Sequence, residues 1–477
     1  STSIGPISSS PSTREGANDK TPSADRALTY PIMGNSDTSA GKFDVLSTAT
    51  IFSCSPRLKS ISDGLPKPMV PIEGAPLLEH IINQCAAYGL DDIKLLVSYK
   101  SAVIEDYFGN GKKFGVNIQY IVEKTPRGTA GALMDSLPHL NSQFLVIYGD
   151  TFFDINLEDF WNYHNSKKGD ATIFLHPNDH PHDSDLVEVD KYLQITKLYP
   201  YPHDSTWKKN LVNAAAYMFN KNVFDCIDLE SKKPDIAKDL FPEMLNRRKR
   251  LYGYISTEYI KDMGTPERLS KVISDINSGK VLSLKKEAPK IAIFIDRDGT
   301  INKEVNFLSD EKHFELIDGA SDAISKINET GILAVVVTNQ PVIARGDLDE
   351  TKLQVIHNKM ETLLGLQGAY IDRLYYCPHH TDKGFEGEIA ELKFDCDCRK
   401  PKIGMFLKAK TDLNIVIEKS WVIGDSTLDI LAAQNAGMKS VLVQTGYGGK
   451  DKSFNVKPNF IAKDLNAAVD LVLEELK

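Results

Sequence analysis

The chain has 477 residues, 42% of them hydrophobic and 25% charged, with a formal net charge of −9. These proportions exclude collagen-like repetition and disorder throughout, and the length suits two or three domains. The acidic balance argues against nucleic acid as the main partner, and the longest apolar runs, such as IAIFI and LAVVV, are far shorter than the roughly 18–20 residues of a membrane span.

Residues 1–44 are rich in Ser, Thr, Pro, Gly and Asp and poor in large apolar residues. Such a stretch buries too little surface to offset its ordering entropy, so a disordered tail is expected. No charged region followed by an apolar run opens the chain, which predicts a cytoplasmic rather than a secreted protein. From Leu46 the strand-like runs DIKLLVSY, FLVIYGD and ATIFLH alternate with the helical stretches PLLEHIINQCAAYGL and AVIEDYFGNG. That alternation implies a mostly parallel sheet with helical crossovers over 45–271. ISDINSGKVLSLKKEAPK reads as a final helix and a Lys-rich connector, placing a linker at 272–288. A second series over 289–477 begins with the strand IAIFI and the helix DGASDAISKINETG. The strand LAVVVTNQ follows, then an amphipathic helix from about Leu348 to Leu364 with Gly365 as its stop. After a Cys/His loop come SWVIGDS, TLDILAAQNAG, SVLVQTG and a last helix. The fold class is α/β in both halves.

IAIFI runs directly into Asp296-Arg297-Asp298-Gly299-Thr300. At the C-terminal end of a parallel strand, Asp296 is placed to attack phosphorus as a carboxylate nucleophile. Asp298 is placed to protonate the leaving oxygen and then to deprotonate water. An acidic turn is the plainer reading of a lone DxD, but other segments add to it. Thr338 and Asn339 end a second buried strand with polar donors for phosphate oxygens, Arg399, Lys400 and Lys402 supply cations, and Asp425 ends a third strand, with Asp429 shortly after. Acids at such strand ends suit Mg2+, a hard cation that prefers oxygen. Cys377, His379, Cys396 and Cys398 offer three thiolates and an imidazole for a tetrahedral Zn2+ site, with buried unmetallated cysteines as the alternative.

In that order DRDGT, TNQ, RKPK and GDSTLD resemble the four motifs of the haloacid dehalogenase (HAD) phosphatases, over about Lys290–Gly449. The resemblance implies Asp296 as nucleophile, Asp298 as acid–base, Thr338 and Lys400 as phosphate ligands, and a Mg2+ site from Asp296, Asp298 and Asp425. The Cys/His pattern is similar to that of D-glycero-D-manno-heptose 1,7-bisphosphate phosphatases and the related histidinol-phosphate phosphatases, implying a structural Zn2+ that organises a substrate-covering loop. Arg345, in the PVIARG segment after TNQ, becomes a candidate for a second phosphate. Arg345, Arg399 and Lys402 near one pocket favour a doubly anionic sugar over histidinol phosphate.

In the first half, Arg57 to Ile72 resembles the signature of sugar-1-phosphate nucleotidyltransferases. RGTAGAL with Gly128, YGD with Asp150, NAAAY with Asn213 and DMGTPE with Asp262 are similar to that family's later motifs. The resemblance implies attack of a sugar 1-phosphate on an NTP. Asp150 and Asp262 would hold Mg2+, and Arg57 and Lys67 would neutralise phosphates. GTP is suggested by relatives acting on manno-configured sugars. Two departures stand out. Ser53-Cys54-Ser55-Pro56 replaces the glycine-rich loop whose amides approach the triphosphate, and Leu198-Tyr199-Pro200-Tyr201-Pro202 stands where relatives carry Glu-Lys-Pro. The preceding TATIF is a weak copy of a buried first strand.

Both resemblances imply Rossmann-like three-layer domains, the second with a zinc-bound loop. They imply a phosphatase acting on the 7-phosphate of the heptose bisphosphate, and a nucleotidyltransferase half that forms an NDP-heptose, a lipopolysaccharide or capsule precursor. Histidinol-phosphate phosphatase activity, a first half that only senses sugar nucleotides, and a homo-oligomer stay open.

Overall fold

The structure is a computed structural model that describes residues 47–52, 65–98, 100–123 and 125–477. The tail expected over 1–44, the Ser53–Pro56 stretch and Arg57 lie outside the described residues. Phe43–Lys477 form one compact unit that holds two large sheets.

The first sheet has nine strands among the described residues. Its centre is a parallel array in which Ser47–Phe52 lies between Asp92–Val97 and Gln143–Tyr148, and Asn117–Val122 adds beyond Asp92–Val97. The weakly apolar TATIF is therefore a central strand. Thr48 and Thr50 are fully buried in it, and parallel ladders on both sides hold it in place of apolar side chains. Val212–Asn220 joins Gln143–Tyr148 antiparallel. A two-stranded ribbon pairs Thr151–Asp154 with Tyr259–Asp262 and so brings Asp262 opposite Thr151.

The second sheet has six strands, all parallel, in the order Arg373–Cys377, Leu333–Asn339, Ala292–Ile295, Trp421–Gly424, Lys439–Val443, Phe460–Ala462. Side chains alternate between its faces, as a doubly covered strand requires. Ala292 and Phe294 pack on one side with Met405, Phe406 and Ala432, while Ile293 and Ile295 pack on the other with Ile324, Ile356 and Val469. Helices on both faces make this half a three-layer sandwich. The chain leaves the central strand Ala292–Ile295 toward one edge and later returns to Trp421–Gly424 on its other side. Ligand crevices form at the C-terminal ends of strands beside such a switch.

The two halves pack on each other. One apolar cluster runs from Tyr254, Tyr259 and Met263 through Val281 and Leu284 to Phe294 and Phe406. At the same interface Thr362 Oγ1 accepts from the Lys208 amide at 3.1 Å and donates to the Lys208 carbonyl at 3.0 Å, and the Asn210 amide donates to Glu361 Oε2 at 2.7 Å. The helix carrying these acceptors spans Glu350–Gly365, with the Asp349 side chain capping its start through the Lys352 amide. It runs through Gly365 instead of stopping before it. Pro181 of the first half lies where a Cβ on Gly365 would be, with its Cγ only 2.3 Å from that position, so the glycine serves close approach of the halves. Among the described residues no helix is long and apolar enough to cross a membrane.

Candidate active site

The three central strand ends of the second sheet converge. Asp296 follows Ala292–Ile295, Thr338 and Asn339 close Leu333–Asn339, and Asp425 follows Trp421–Gly424. The Asp296 amide donates to the Ile423 carbonyl at 2.9 Å, which locks two of these ends together. Carboxylate oxygens of Asp296, Asp425 and Asp429 lie within 4.8 Å of one another, and all three residues are buried. Lys400 Nζ enters this group and donates to Asp296 Oδ1 and Asp429 Oδ1, each at 2.6 Å, and to the Val337 carbonyl at 2.9 Å. Burial opposes the charge on Lys400, but Asp296 and Asp429 hold its pKa above the ordinary value. Burial, with the charges of neighbouring carboxylates, pushes the carboxyl groups of Asp296 and Asp425 up. Three carboxyl groups crowd one ammonium, and their mutual repulsion helps raise Asp296 and Asp425. That donor set fits a divalent oxygen-loving cation. Gly299, at φ +79°, makes room for it, since a Cβ there would fall 2.2 Å from Asp425 Oδ2.

The buried carboxylate cluster includes one residue outside the expected Mg2+ set. Asp429, not the Asp298 side chain, joins Asp296 and Asp425. Asp429 sits in the first turn of the helix Thr427–Ala436, where its Oδ2 also accepts from Ser426 Oγ at 2.5 Å. Asp298 is turned to other partners. Arg297 Nη2 reaches both its oxygens at 2.8 and 2.7 Å, Asn302 Nδ2 donates at 3.0 Å and Gln340 Nε2 at 2.8 Å. Burial opposes its charge, yet Arg297 and these donors hold its carboxyl below the usual range. Arg297 and Gln340 are contributors to which motif reading gave no role, and Asp429 was noted there only as an acid after Asp425. The DxD spacing put Arg297 between the two acids, and that was the one available signal.

Gln340 also donates to Thr338 Oγ1 at 2.8 Å, and Thr338 is 1% exposed. Asn339 clamps the peptide of Lys400, accepting from its amide at 3.0 Å and donating to its carbonyl at 3.1 Å. Each of the three outer cations has a local partner. Arg399 Nη1 donates to the His379 carbonyl at 3.2 Å, and Lys402 pairs with Asp395 at 2.7 Å. Arg345 pairs with Asp347 at 2.9 Å, its guanidinium 3.9 Å from the centre of the Phe307 ring and 4.2 Å from that of Phe385.

Cys377, His379, Cys396 and Cys398 come together as the spacing suggested. The sulfur of Cys398 lies 3.3 Å from that of Cys377 and 3.2 Å from that of Cys396, and His379 Nδ1 is 3.2 Å from it. A disulfide needs about 2.05 Å between sulfurs. Four donors around one zinc ion, at about 2.0–2.3 Å each, sit roughly 3.4–3.8 Å apart. The observed spacings are too long for a disulfide and lie slightly below those of the second arrangement. His380 stays out of the group and accepts from the Asp382 amide at 3.1 Å.

In the first half the structure brings Lys67, Asp150 and Asp262 together. Lys67 Nζ lies 3.2 Å from Asp150 Oδ2, and the Met263 amide donates to the Asp150 carbonyl at 2.8 Å. Asp262 accepts from Arg268 Nη1 at 2.6 Å and from the Gly264 amide at 2.8 Å. Gly128 and Asn213 have backbone roles of their own. Gly128 opens the helix Gly128–Ser136 against the backbone of Lys233 and Pro234. Asn213 sits at a register shift in its strand and accepts from the Ala215 amide at 3.1 Å.

Comparison with known proteins places both halves. A nucleotidyl transferase family profile matches residues 55–279, and a HAD-hydrolase-like profile matches 397–468. The D-glycero-beta-D-manno-heptose-1,7-bisphosphate 7-phosphatase of Vibrio cholerae is 42% identical over 158 residues, which are 33% of this chain and 83% of that protein. The mannose-1-phosphate guanylyltransferase of Mycobacterium tuberculosis is 31% identical over 225 residues, 47% of this chain; the chain spans 62% of that relative's length. The crystal structure of D,D-heptose 1,7-bisphosphate phosphatase from B. bronchiseptica, complexed with magnesium and phosphate, is 30% identical, covers 39% of this chain and 99% of its own, and has a TM-score of 0.35. The chain thus belongs to the D-glycero-beta-D-manno-heptose-1,7-bisphosphate 7-phosphatase family of phosphoric monoester hydrolases, and it joins that HAD-type part to a nucleotidyl transferase domain.

Proposed function

We propose that the second half removes the 7-phosphate of D-glycero-D-manno-heptose 1,7-bisphosphate, and that the first half then transfers a nucleotidyl group, from GTP, to the heptose 1-phosphate. One observation carries the phosphatase reading: a buried ammonium, Lys400, 2.6 Å from Asp296 in a pocket walled by Asp425 and Asp429. Mg2+ held by Asp296, Asp425 and Asp429 would supply positive charge for the phosphoryl oxygens. Asp296 attacks phosphorus and forms an aspartyl-phosphate while the bond to the sugar oxygen breaks. Lys400 keeps Asp296 oriented and offsets charge on the transferred group. Asp298 starts as a carboxylate braced by Arg297; an arriving phosphate raises its proton affinity by like charge, so it takes up a proton from solvent and passes that proton to the departing alkoxide. Once the alcohol has left, Arg297 again favours the carboxylate, which then takes a proton from the water that hydrolyses the aspartyl-phosphate. Thr338 and Asn339, at the neighbouring strand end, are placed for the phosphoryl oxygens.

The Cys/His group would hold a structural Zn2+, a donor set of soft thiolates and imidazole suited to it. In the first half, Lys67 with Asp150 and Asp262 supports nucleotidyl transfer, and Arg57 is a further candidate cation by the family resemblance alone. Both substrates are small charged metabolites, in keeping with a cytoplasmic protein.

A phosphorus NMR time course tests the whole reading. The full chain is mixed with Mg2+, heptose 1,7-bisphosphate and GTP. Orthophosphate, pyrophosphate and a sugar diphosphate signal are the expected products. Orthophosphate alone, with heptose 1-phosphate accumulating, would leave the phosphatase standing and remove the transferase.

A further inference from the structure

Arg297 is the largest fully buried side chain among the described residues, and it stands between the two carboxylates of the phosphatase motif. A buried guanidinium needs partners for its donors, because each unmet one carries its desolvation cost. Nε and Nη2 are met locally, by Asp298 and, at 3.1 Å, by Gln340 Oε1. For Nη1 the partner is His357 Nε2, at 3.1 Å, from 60 residues further along the chain.

Several features make His357 a fixed acceptor. Its imidazole is 2% exposed, and Nε2 can accept from a guanidinium only in the neutral ring. Burial, with the positive charges of Arg297 and Lys209, holds its pKa well below the usual histidine value. The helix that carries it is pinned from the far side by the first half, since Glu361 and Thr362, about one turn beyond His357, are the residues that bind the Asn210 and Lys208 backbone. Lys209 belongs to the same docking segment. A chain of contacts thus leads from the first half, through this helix and His357, to Arg297 and Asp298.

We infer that His357 is a positioning residue for the phosphatase reaction: it holds Arg297, and through it Asp298, from a helix that the nucleotidyl transferase half keeps in place. This rests on the acid–base reading of Asp298 given above. A histidine that merely filled the core would affect only how much enzyme is folded.

The test exploits the leaving group. An alkoxide needs a proton as it departs, whereas p-nitrophenolate leaves without one, so a misplaced acid hurts the sugar phosphate more. In the full chain, kcat/KM covers every step through departure of the leaving group. The ratio of kcat/KM for heptose 1,7-bisphosphate to that for p-nitrophenyl phosphate cancels the folded fraction. His357→Leu is expected to lower this ratio about tenfold or more. His357→Gln, whose carboxamide oxygen can accept from Nη1, is expected to stay within about threefold of the parent. Asp298→Asn should lower the ratio most. If Asp298→Asn lowers it and His357→Leu does not, the inference is overturned while the acid–base reading stands. If Asp298→Asn leaves it unchanged, that reading fails and the inference with it. A Gln variant as defective as Leu overturns the hydrogen-bond account. Should the Leu variant not fold, His357→Asn, whose shorter amide stops short of Arg297, takes its place with the same expected fall.

Discussion

Lys400 donates to Asp296 at 2.6 Å although the two residues are 104 positions apart in the chain. The ammonium is 2% exposed and its other carboxylate partner, Asp429, is equally buried. Such a contact fixes the direction of the Asp296 carboxyl, the nucleophile in the reading proposed above, and offsets charge that water cannot reach. Lys400→Met should therefore lower kcat by about two to three orders of magnitude. Mg2+ affinity should hold or rise, because the pocket gains a net negative charge. Steady-state kinetics with calorimetric Mg2+ titration checks both; weaker Mg2+ binding in the variant would contradict the charge argument.

Asp429 and Asp298 are separable by their metal dependence. Asp429→Asn should raise the Mg2+ concentration for half-maximal activity roughly tenfold or more, as loss of a hard oxygen ligand does. Asp298→Asn should lower turnover while leaving that concentration close to the parent value, since its side chain is engaged by Arg297, Asn302 and Gln340. The reverse pattern would restore Asp298 to the metal site.

Cys398 touches the three other donors of the Cys/His group. Cys398→Ser should lose the bound zinc, measured as metal per chain by mass spectrometry, and should melt several degrees lower because zinc-binding energy is folding energy. A variant that melts like the parent would make the group an unmetallated packing cluster.

His164 offers a pH test away from any metal. It is 1% exposed and pairs with Thr172 Oγ1 at 2.8 Å. Burial lowers its pKa from 6.5 to about 4. The unfolded chain takes up this proton first, so stability falls as pH drops from 6.5 toward 4, by up to about 1.4 kcal/mol per unit. His164→Gln should lose that part of the slope, read as the difference between variant and parent in urea unfolding across the window.

Much of the phosphatase site is legible in the sequence for one reason. Asp296, Thr338, Asn339 and Asp425 each follow or end an apolar strand, and a parallel sheet brings such ends to one edge. The Cys/His spacing was legible too, because few other arrangements use three cysteines and a histidine in that pattern. The RKPK cations were less so. Sequence spacing put Arg345, Arg399 and Lys402 near one pocket, whereas each has a local partner that the chain alone does not announce.

The sequence by itself determined the two α/β halves and the order of the motifs, because those follow from apolar periodicity and residue order, while the roles of Asp296 and Lys400 came from the family resemblance. Only the tertiary structure decided the rest. Asp429, in the sequence only an acid shortly after Asp425, is carried by the helix from Thr427 onto Lys400. The Asp298 side chain is engaged at both oxygens by the buried Arg297. Gly365 reads as a helix stop until Pro181 of the other half is found against it. In each case the deciding partner is distant in the chain, and burial, by removing water as an alternative partner, makes that one contact prevail.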